Sequence, residues 1–165
     1  MRRFTPVELA IGVALLGSLM AVGVPAFSRD LHASRFVEPA DGLIRLGASA
    51  VAYADATDGF PDSAPLTPAV PPRGVKSVDP PGTWDGPTWK ALAFRASAEG
   101  VPHAYAFAFE STGGRSFVAQ ARGDLDGDGI LSTFEIRGAF PGTKGARTGE
   151  KATVAPGMYV EAELE

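Results

Sequence analysis

The first part of the chain is an unbroken run of apolar residues. No charged side chain occurs between Leu9 and Ser28, and arginines lie on both sides of the run. A helix rises about 1.5 Å per residue, so this stretch can cross the roughly 30 Å hydrocarbon core of a bilayer. We therefore predict a transmembrane helix over residues 4–28.

From residue 29 to residue 57 the pattern becomes amphipathic. Apolar residues recur at three- and four-residue spacing: Leu43, Leu46, Ala50 and Tyr53. This spacing is typical of one apolar face of a helix, and we expect that face to pack on a sheet. Asp58-Gly59 should end the helix.

Prolines and a glycine inside the helix predict irregularities. Pro25 removes one helical hydrogen bond, so the helix should kink or locally melt there. Pro39 and Gly42 predict a second bend or a short break.

Residues 58–165 are expected to form a globular β head. Tyr105, Phe107 and Phe109 alternate with small residues over 103–109, a Gly-containing turn occupies 111–114, and an apolar return strand follows at 116–121. The pattern predicts an antiparallel hairpin whose aromatic face meets the helix. Ala91–Arg95 and Met158–Ala162 are predicted to add strands, giving an α+β fold with one long N-terminal helix packed on a small antiparallel sheet.

The segment between helix and hairpin is rich in proline. Eight prolines fall within residues 61–89, which predicts an extended connector on the surface of the head. Trp84 and Trp89 are expected to anchor this connector on the core.

Composition narrows the chemistry available to the chain. The 165 residues include no cysteine and carry a net charge of −4, which excludes disulfides, thiol catalysis and cysteine-ligated metals. The sequence contains no basic tract interleaved with aromatic residues, so it does not indicate a nucleic-acid partner. The two histidines, His32 and His103, belong to no recognisable catalytic set, and no phosphate loop or nucleophile elbow is present. We expect a protein that is not an enzyme.

One motif points to a metal. Residues 124–135 match the twelve-residue calcium loop of EF-hands at its defining positions. The predicted ligands are oxygens of Asp124, Asp126, Asp128, Ile130, Ser132 and Glu135, where Ile130 contributes its backbone carbonyl and Glu135 binds bidentately. Gly129 takes the sharp-turn position.

The flanks of this loop differ from those of a calcium sensor. A predicted strand enters the loop, and too few residues precede Gly138 and Pro141 for an exiting helix. No second loop is present for pairing. We therefore expect a static calcium clamp that orders the head, not a switch.

The N-terminal segment resembles the signal of type IV pilins and of the pseudopilins of type II secretion. In that family an aromatic residue begins the mature chain, a Glu stands at its fifth position and a Pro at its twenty-second. Phe4, Glu8 and Pro25 have those spacings here. The resemblance covers residues 4–27, and a single acid near the start of an apolar helix is costly, which makes the pattern specific.

The resemblance implies a structural role in a filament. Prepilin peptidase would remove residues 1–3, the new Phe4 amine would be methylated, and Glu8 would pair with the first-residue amine of a neighbouring subunit. Subunits would wait in the inner membrane as single-pass proteins and then assemble into a pilus or secretion filament in the periplasm or at the cell surface. The sequence departs from the family at Arg3, where the peptidase requires Gly.

Two other interpretations of the N-terminus remain. Ala21-Val22-Gly23 resembles the cleavage site of a secretory signal. Alternatively, the chain is a membrane-anchored, non-polymerising calcium-binding adhesion module. Loss of Glu8 distinguishes this anchored module from a filament subunit, since an anchor tolerates the loss and a filament subunit does not.

Overall fold

A computed structural model of the protein describes residues 5–141 and 151–161, without the side chains of 26 and 28–35. The predicted leader, Phe4, Ala162 and most of the basic stretch between 144 and 151 lie outside these residues. The chain divides between Phe36 and Val37 into two compact units.

Helix α1 extends from Pro6 to Thr57. Its first part, Pro6–Pro25, has a mean hydropathy of 2.1 and no buried residue. By length and composition this segment can cross a membrane, which agrees with the coarse prediction of a single N-terminal span. Among the described residues it is the one helix with this property.

The local melting predicted at Pro25 and the break predicted near Pro39 and Gly42 are absent. The helix continues through Pro25, Pro39 and Gly42 without a break. Pro39 is buried, and a Cβ on Gly42 would meet the Phe107 ring. The glycine therefore provides a close approach of helix and sheet, and this packing outweighs its low helix propensity. Asp58, with φ of 58°, follows the last helical residue as the sequence predicts.

Besides the end of α1, the described residues of the second unit form one short helix and a six-stranded antiparallel sheet. The remaining elements are β1 (Ala64–Thr67), α2 (Pro87–Ala91), β2 (Tyr105–Thr112), β3 (Ser116–Gly123), β4 (Ser132–Ala139), β5 (Thr153–Val154) and β6 (Tyr159–Glu161). The strand order is β1-β2-β3-β4-β5, and β6 also pairs with β4. The α+β prediction is confirmed at this level.

The predicted hairpin is present and is longer than expected. β2 and β3 pair over their full lengths, from Tyr105 opposite Gly123 to Thr112 opposite Ser116. Gly113 and Gly114 make the turn with φ of 58° and 67°, a conformation that glycine adopts without steric cost.

The predicted strand at Ala91–Arg95 is wrong. Ala91 is the last residue of α2, and Ala93 has φ of 47° in the turn that follows. Pro87 at the start of α2 has a backbone angle suited to a first helical turn. Leu92 and Phe94 are both buried, so their alternation reflects burial and not a strand.

The core lies between the second half of α1, residues 37–57, and one face of the sheet. Leu43, Leu46 and Ala50 are fully buried, as the helical stripe predicts, whereas Tyr53 is half-buried and Ala54 continues the stripe. The sheet contributes the three predicted aromatics Tyr105, Phe107 and Phe109, and each is at most 1% exposed. Trp84 and Trp89 are also buried and pack edge to face with centroids 5.2 Å apart.

Candidate metal site and the start of the apolar helix

The acidic loop connects β3 to β4 on the core hairpin. Asp124 follows the last residue of β3, and Ser132 begins β4 opposite Gly123. One carboxylate oxygen from each of Asp124, Asp126 and Asp128 lies within 4.8 Å of the other two. The structure thus brings together three of the predicted ligands.

The aspartates also shape the loop through their own backbone. Asp124 accepts hydrogen bonds from the N–H groups of Gly127 at 2.8 Å and Gly129 at 3.1 Å. Both glycines have positive φ, 86° and 96°, which turns the chain around the Asp124 carboxylate. Asp128 accepts the Ile130 N–H at 2.7 Å.

The charge balance of the loop is strongly negative. Asp124 is 1% exposed, and the Nε of Arg73 lies 3.8 Å from Asp124 Oδ2. Asp126 and Asp128 are exposed. Three carboxylates around one small space repel one another, and hard oxygen donors of this kind suit a divalent cation such as calcium. The three aspartates could therefore hold a metal ion.

Glu135 does not join the three aspartates. It lies in β4 opposite Gln120 of β3 and Tyr159 of β6. Its carboxylate accepts hydrogen bonds from Gln120 Nε2 at 2.9 Å and from Arg137 Nε at 2.6 Å. Strand alternation places Glu135 on the face opposite Phe134, which is in the core. A strand after the loop, in place of the EF-hand helix, therefore directs this ligand away.

The surroundings of Glu135 favour its ionised form. Burial by itself raises the pKa of this carboxyl. The hydrogen bonds from Gln120 and Arg137, together with the charges of Arg137 and Arg122, outweigh burial and hold the pKa below its ordinary value. Glu135 is thus a structural carboxylate on the outer face of the sheet.

The other two predicted ligands have different environments. Ile130 is 52% exposed in the loop, and Ser132 is fully buried at the start of β4. Both residues are close to the aspartates in sequence. Neither has a carboxylate side chain, so neither is part of the acidic cluster.

Glu8, the predicted assembly residue, has a role inside its own chain. Its Oε2 accepts the Thr5 backbone N–H at 2.7 Å and the Thr5 hydroxyl at 3.0 Å, and Thr5 Oγ1 accepts the Glu8 N–H at 3.3 Å. This is a capping box at the start of α1. Its signature in the sequence is Thr-Pro-Val-Glu over residues 5–8. Pro25, the third predicted assembly residue, is exposed within α1.

Sequence reasoning missed a second contact of the acidic loop. Gly74 of the connector donates its N–H to the Asp124 carbonyl at 2.8 Å, and Arg73 pairs with Asp124 in a parallel bridge. These residues lie 50 positions from the loop, and no local pattern marks them. Comparisons with protein-family models, curated proteins and solved structures found no match to this chain.

Proposed function

We propose that the protein is a structural subunit of a filament of the type IV pilin class, a pilin, minor pilin or pseudopilin. The observation that carries the proposal is the segment Pro6–Pro25, an apolar helix with every residue exposed and a single acid, Glu8, in its first turn. Such a surface needs lipid or other apolar helices around it. A subunit that moves from the inner membrane into a helical bundle is surrounded first by lipid and then by other apolar helices.

Glu8 provides the assembly contact in this proposal. With the chain cut after Arg3, the Phe4 amine of one subunit pairs with Glu8 of its neighbour. In a single chain, Thr5 satisfies the same carboxylate and holds it at the helix start. The pair is strong because it forms in an apolar surrounding, where unit charges attract far more than in water. Other subunits, the inner membrane and prepilin peptidase are the partners.

Calcium completes the proposal for the head. Asp124, Asp126 and Asp128 would hold the ion, and the Ile130 carbonyl and Ser132 are the next donors along the chain. When bound, the ion supplies positive charge to the three carboxylates and thereby orders the turn between β3 and β4. Glu135 acts separately, through Gln120 and Arg137.

One observation favours a second function, an anchored calcium-binding adhesion module that does not polymerise. The Glu8 carboxylate already accepts two hydrogen bonds from Thr5 of its own chain, so it has a structural purpose without a neighbour. Arg3 at the peptidase position agrees with an uncut anchor.

The deciding measurement is the mass and N-terminal sequence of the protein in filaments sheared from the surface of its host. A methylated chain beginning at Phe4 supports the filament subunit. Recovery in membranes alone, with residues 1–3 retained, supports the anchor. Glu8→Ala should abolish assembly, whereas Asp41→Ala, which removes an exposed acid elsewhere on α1, should not.

The calcium site has its own test. Equilibrium dialysis of the full chain in detergent micelles should show one calcium ion bound, and Asp126→Asn should weaken binding at least tenfold, since it removes one carboxylate of three. Asp41→Asn is the control for overall charge. Wild-type and Asp126→Asn chains with equal affinity would remove calcium from the proposal and leave the filament role standing.

A further inference from the structure

Residues 73–79 of the connector form an extended segment that we call the strap. It contains no helix or strand beyond two isolated bridges, and residues 73–78 are all exposed. Its two valines, Val75 and Val78, are 73% and 50% exposed. Since little apolar surface is buried, the polar contacts at the two ends of the strap determine its position.

The first end of the strap lies on the acidic loop. The Gly74 N–H donates to the Asp124 carbonyl at 2.8 Å, and the Arg73 guanidinium lies 3.8 Å from the Asp124 carboxylate. Gly74 has φ of 67°, and a Cβ there would lie 3.5 Å from the Asp126 carbonyl oxygen. This end thus contacts Asp124 and leaves little room for a side chain at Gly74 beside Asp126.

The second end lies on the residues that precede β2. Ser77 and His103 exchange both backbone hydrogen bonds, each 3.0 Å long. The Asp79 carboxylate lies 2.7 Å from His103 Nε2 and also accepts the Trp84 indole N–H at 2.6 Å. His103 is 2% exposed, and its Nδ1 lies 2.9 Å from the Tyr105 carbonyl. This end is therefore attached to buried groups.

The strap also reaches helix α1. Lys76 Nζ lies 2.8 Å from one oxygen of Glu38. The other oxygen of Glu38 accepts the N–H groups of Ala104 at 2.6 Å and Tyr105 at 3.1 Å. The helix, the start of β2 and the second end of the strap consequently meet at one carboxylate.

We propose that the strap couples cation binding in the acidic loop to its own attachment at His103 and Glu38. The inference rests on the calcium site proposed above. Asp124 contributes its carboxylate to the cation and its carbonyl to Gly74, so fixing Asp124 for one partner fixes it for the other. Coupling between two sites is reciprocal: attachment at His103 strengthens calcium binding by the same factor by which calcium strengthens attachment.

The first arm of the test measures calcium affinity of the full chain in detergent micelles. Asp79→Asn weakens the second end, and calcium should then bind about fivefold or more weakly, the low end of measured couplings. Asp85→Asn is the matched control, because Asp85 is exposed and pairs only loosely, at 3.5 Å, with exposed Lys90. It should retain wild-type affinity. Equal affinities of the two variants would overturn the coupling.

The second arm follows hydrogen exchange at the Ser77 and His103 amides, since each is bonded to the other residue's carbonyl. Calcium should slow exchange of both amides in the wild type, and it should have no such effect in Asp126→Asn. Unchanged exchange in a wild-type chain that demonstrably binds calcium would also overturn the proposal.

A second pair of variants acts from the opposite end and does not depend on the folding of Asp79→Asn. Gly74→Ala should weaken calcium binding and speed exchange at Ser77. Gly82→Ala shares the positive φ, 89°, but its added Cβ would face only Asp85, so both properties should stay at wild-type values. If the wild type binds no calcium, the site and the coupling both fail. If it binds calcium but either pair of folded variants shows no difference, the coupling alone fails.

Discussion

The two halves of helix α1 differ in what covers their apolar side chains. In Pro6–Pro25 no residue is buried, and a Cβ on Gly12 or Gly17 would meet nothing within 4 Å. In the second half, Leu43 and Leu46 are fully buried, and a Cβ on Gly42 would meet Phe107.

This difference shows that hydrophobicity alone does not reveal what a helix packs against. The second half is apolar on one stripe, and its own sheet covers that stripe. The first half is apolar on every side, and none of its residues from Pro6 to Pro25 is buried. Substitutions in the two halves should therefore act on different properties: stability of the head in one case, insertion or assembly in the other.

The largest expected contrast comes from two leucines. Leu46→Ala should lower the free energy of unfolding of the head by about 2–5 kcal/mol, because it leaves a cavity in the core. Leu16, which is 63% exposed, is the matched control, and Leu16→Ala should leave this free energy unchanged. Urea titration in detergent, followed by tryptophan fluorescence, measures both. An equal loss at Leu16 would show that the first half also packs on the head.

The two glutamates of α1 should give the next largest contrast. Glu38→Ala removes the acceptor shared by the buried Ala104 and Tyr105 N–H groups and should cost about 1–3 kcal/mol. Glu8→Ala removes only the capping box of the exposed helix start, so the same urea titration should not detect it. Similar losses in both variants would contradict the division between the two halves.

A smaller contrast is expected from two glycines. Gly42→Ala gains helix propensity but forces the Phe107 ring to move. The head should therefore lose roughly 1 kcal/mol of its free energy of unfolding, as measured by thermal denaturation. Gly17→Ala has open space around it and should show only the propensity gain, seen as helical circular dichroism. Stabilisation of the head by Gly42→Ala would mean that helix and sheet approach less closely than described.

The smallest effect concerns acid. The pKa of Glu135 is lowered in the folded head, so its carboxylate stabilises the head above the unfolded pKa of about 4.3, and this contribution is lost as pH falls through the lower, folded pKa. Glu135→Gln should flatten the decline of stability below about pH 5. Arg137→Gln should give an intermediate slope. Urea midpoints measured across this range provide the check, and an unaltered slope in Glu135→Gln would refute the assignment.

Periodicity predicted the helix and the central hairpin correctly because burial directly determines both patterns. The stripe through Leu43 and Leu46 and the alternation of Tyr105, Phe107 and Phe109 each report one buried face. At Ala91–Arg95 the same reasoning failed. Leu92 and Phe94 are buried, but they lie in the turn that follows α2, and the sequence signal for that short helix is the preceding Gly86-Pro87. Strand β4 was not predicted, because its first four residues also belong to the calcium-loop motif.

The acidic site was predictable only in part. Adjacent residues bring Asp124, Asp126 and Asp128 together, so the sequence spacing is sufficient for them. The position of Glu135 depends on the register of β4 with β3, which a motif written for a helix does not contain. Arg73 and Gly74 reach the loop through tertiary folding alone.

The meander β2-β3-β4 also has a consequence for the order of folding. Its strands pair with neighbours in sequence, whereas the Glu38 contact joins α1 to Ala104 across 66 residues. Closing such a long loop costs more entropy than forming a hairpin, so the meander should form first and the helix should dock afterwards. Strands that follow α1 in the chain thus form the surface on which the earlier helix docks.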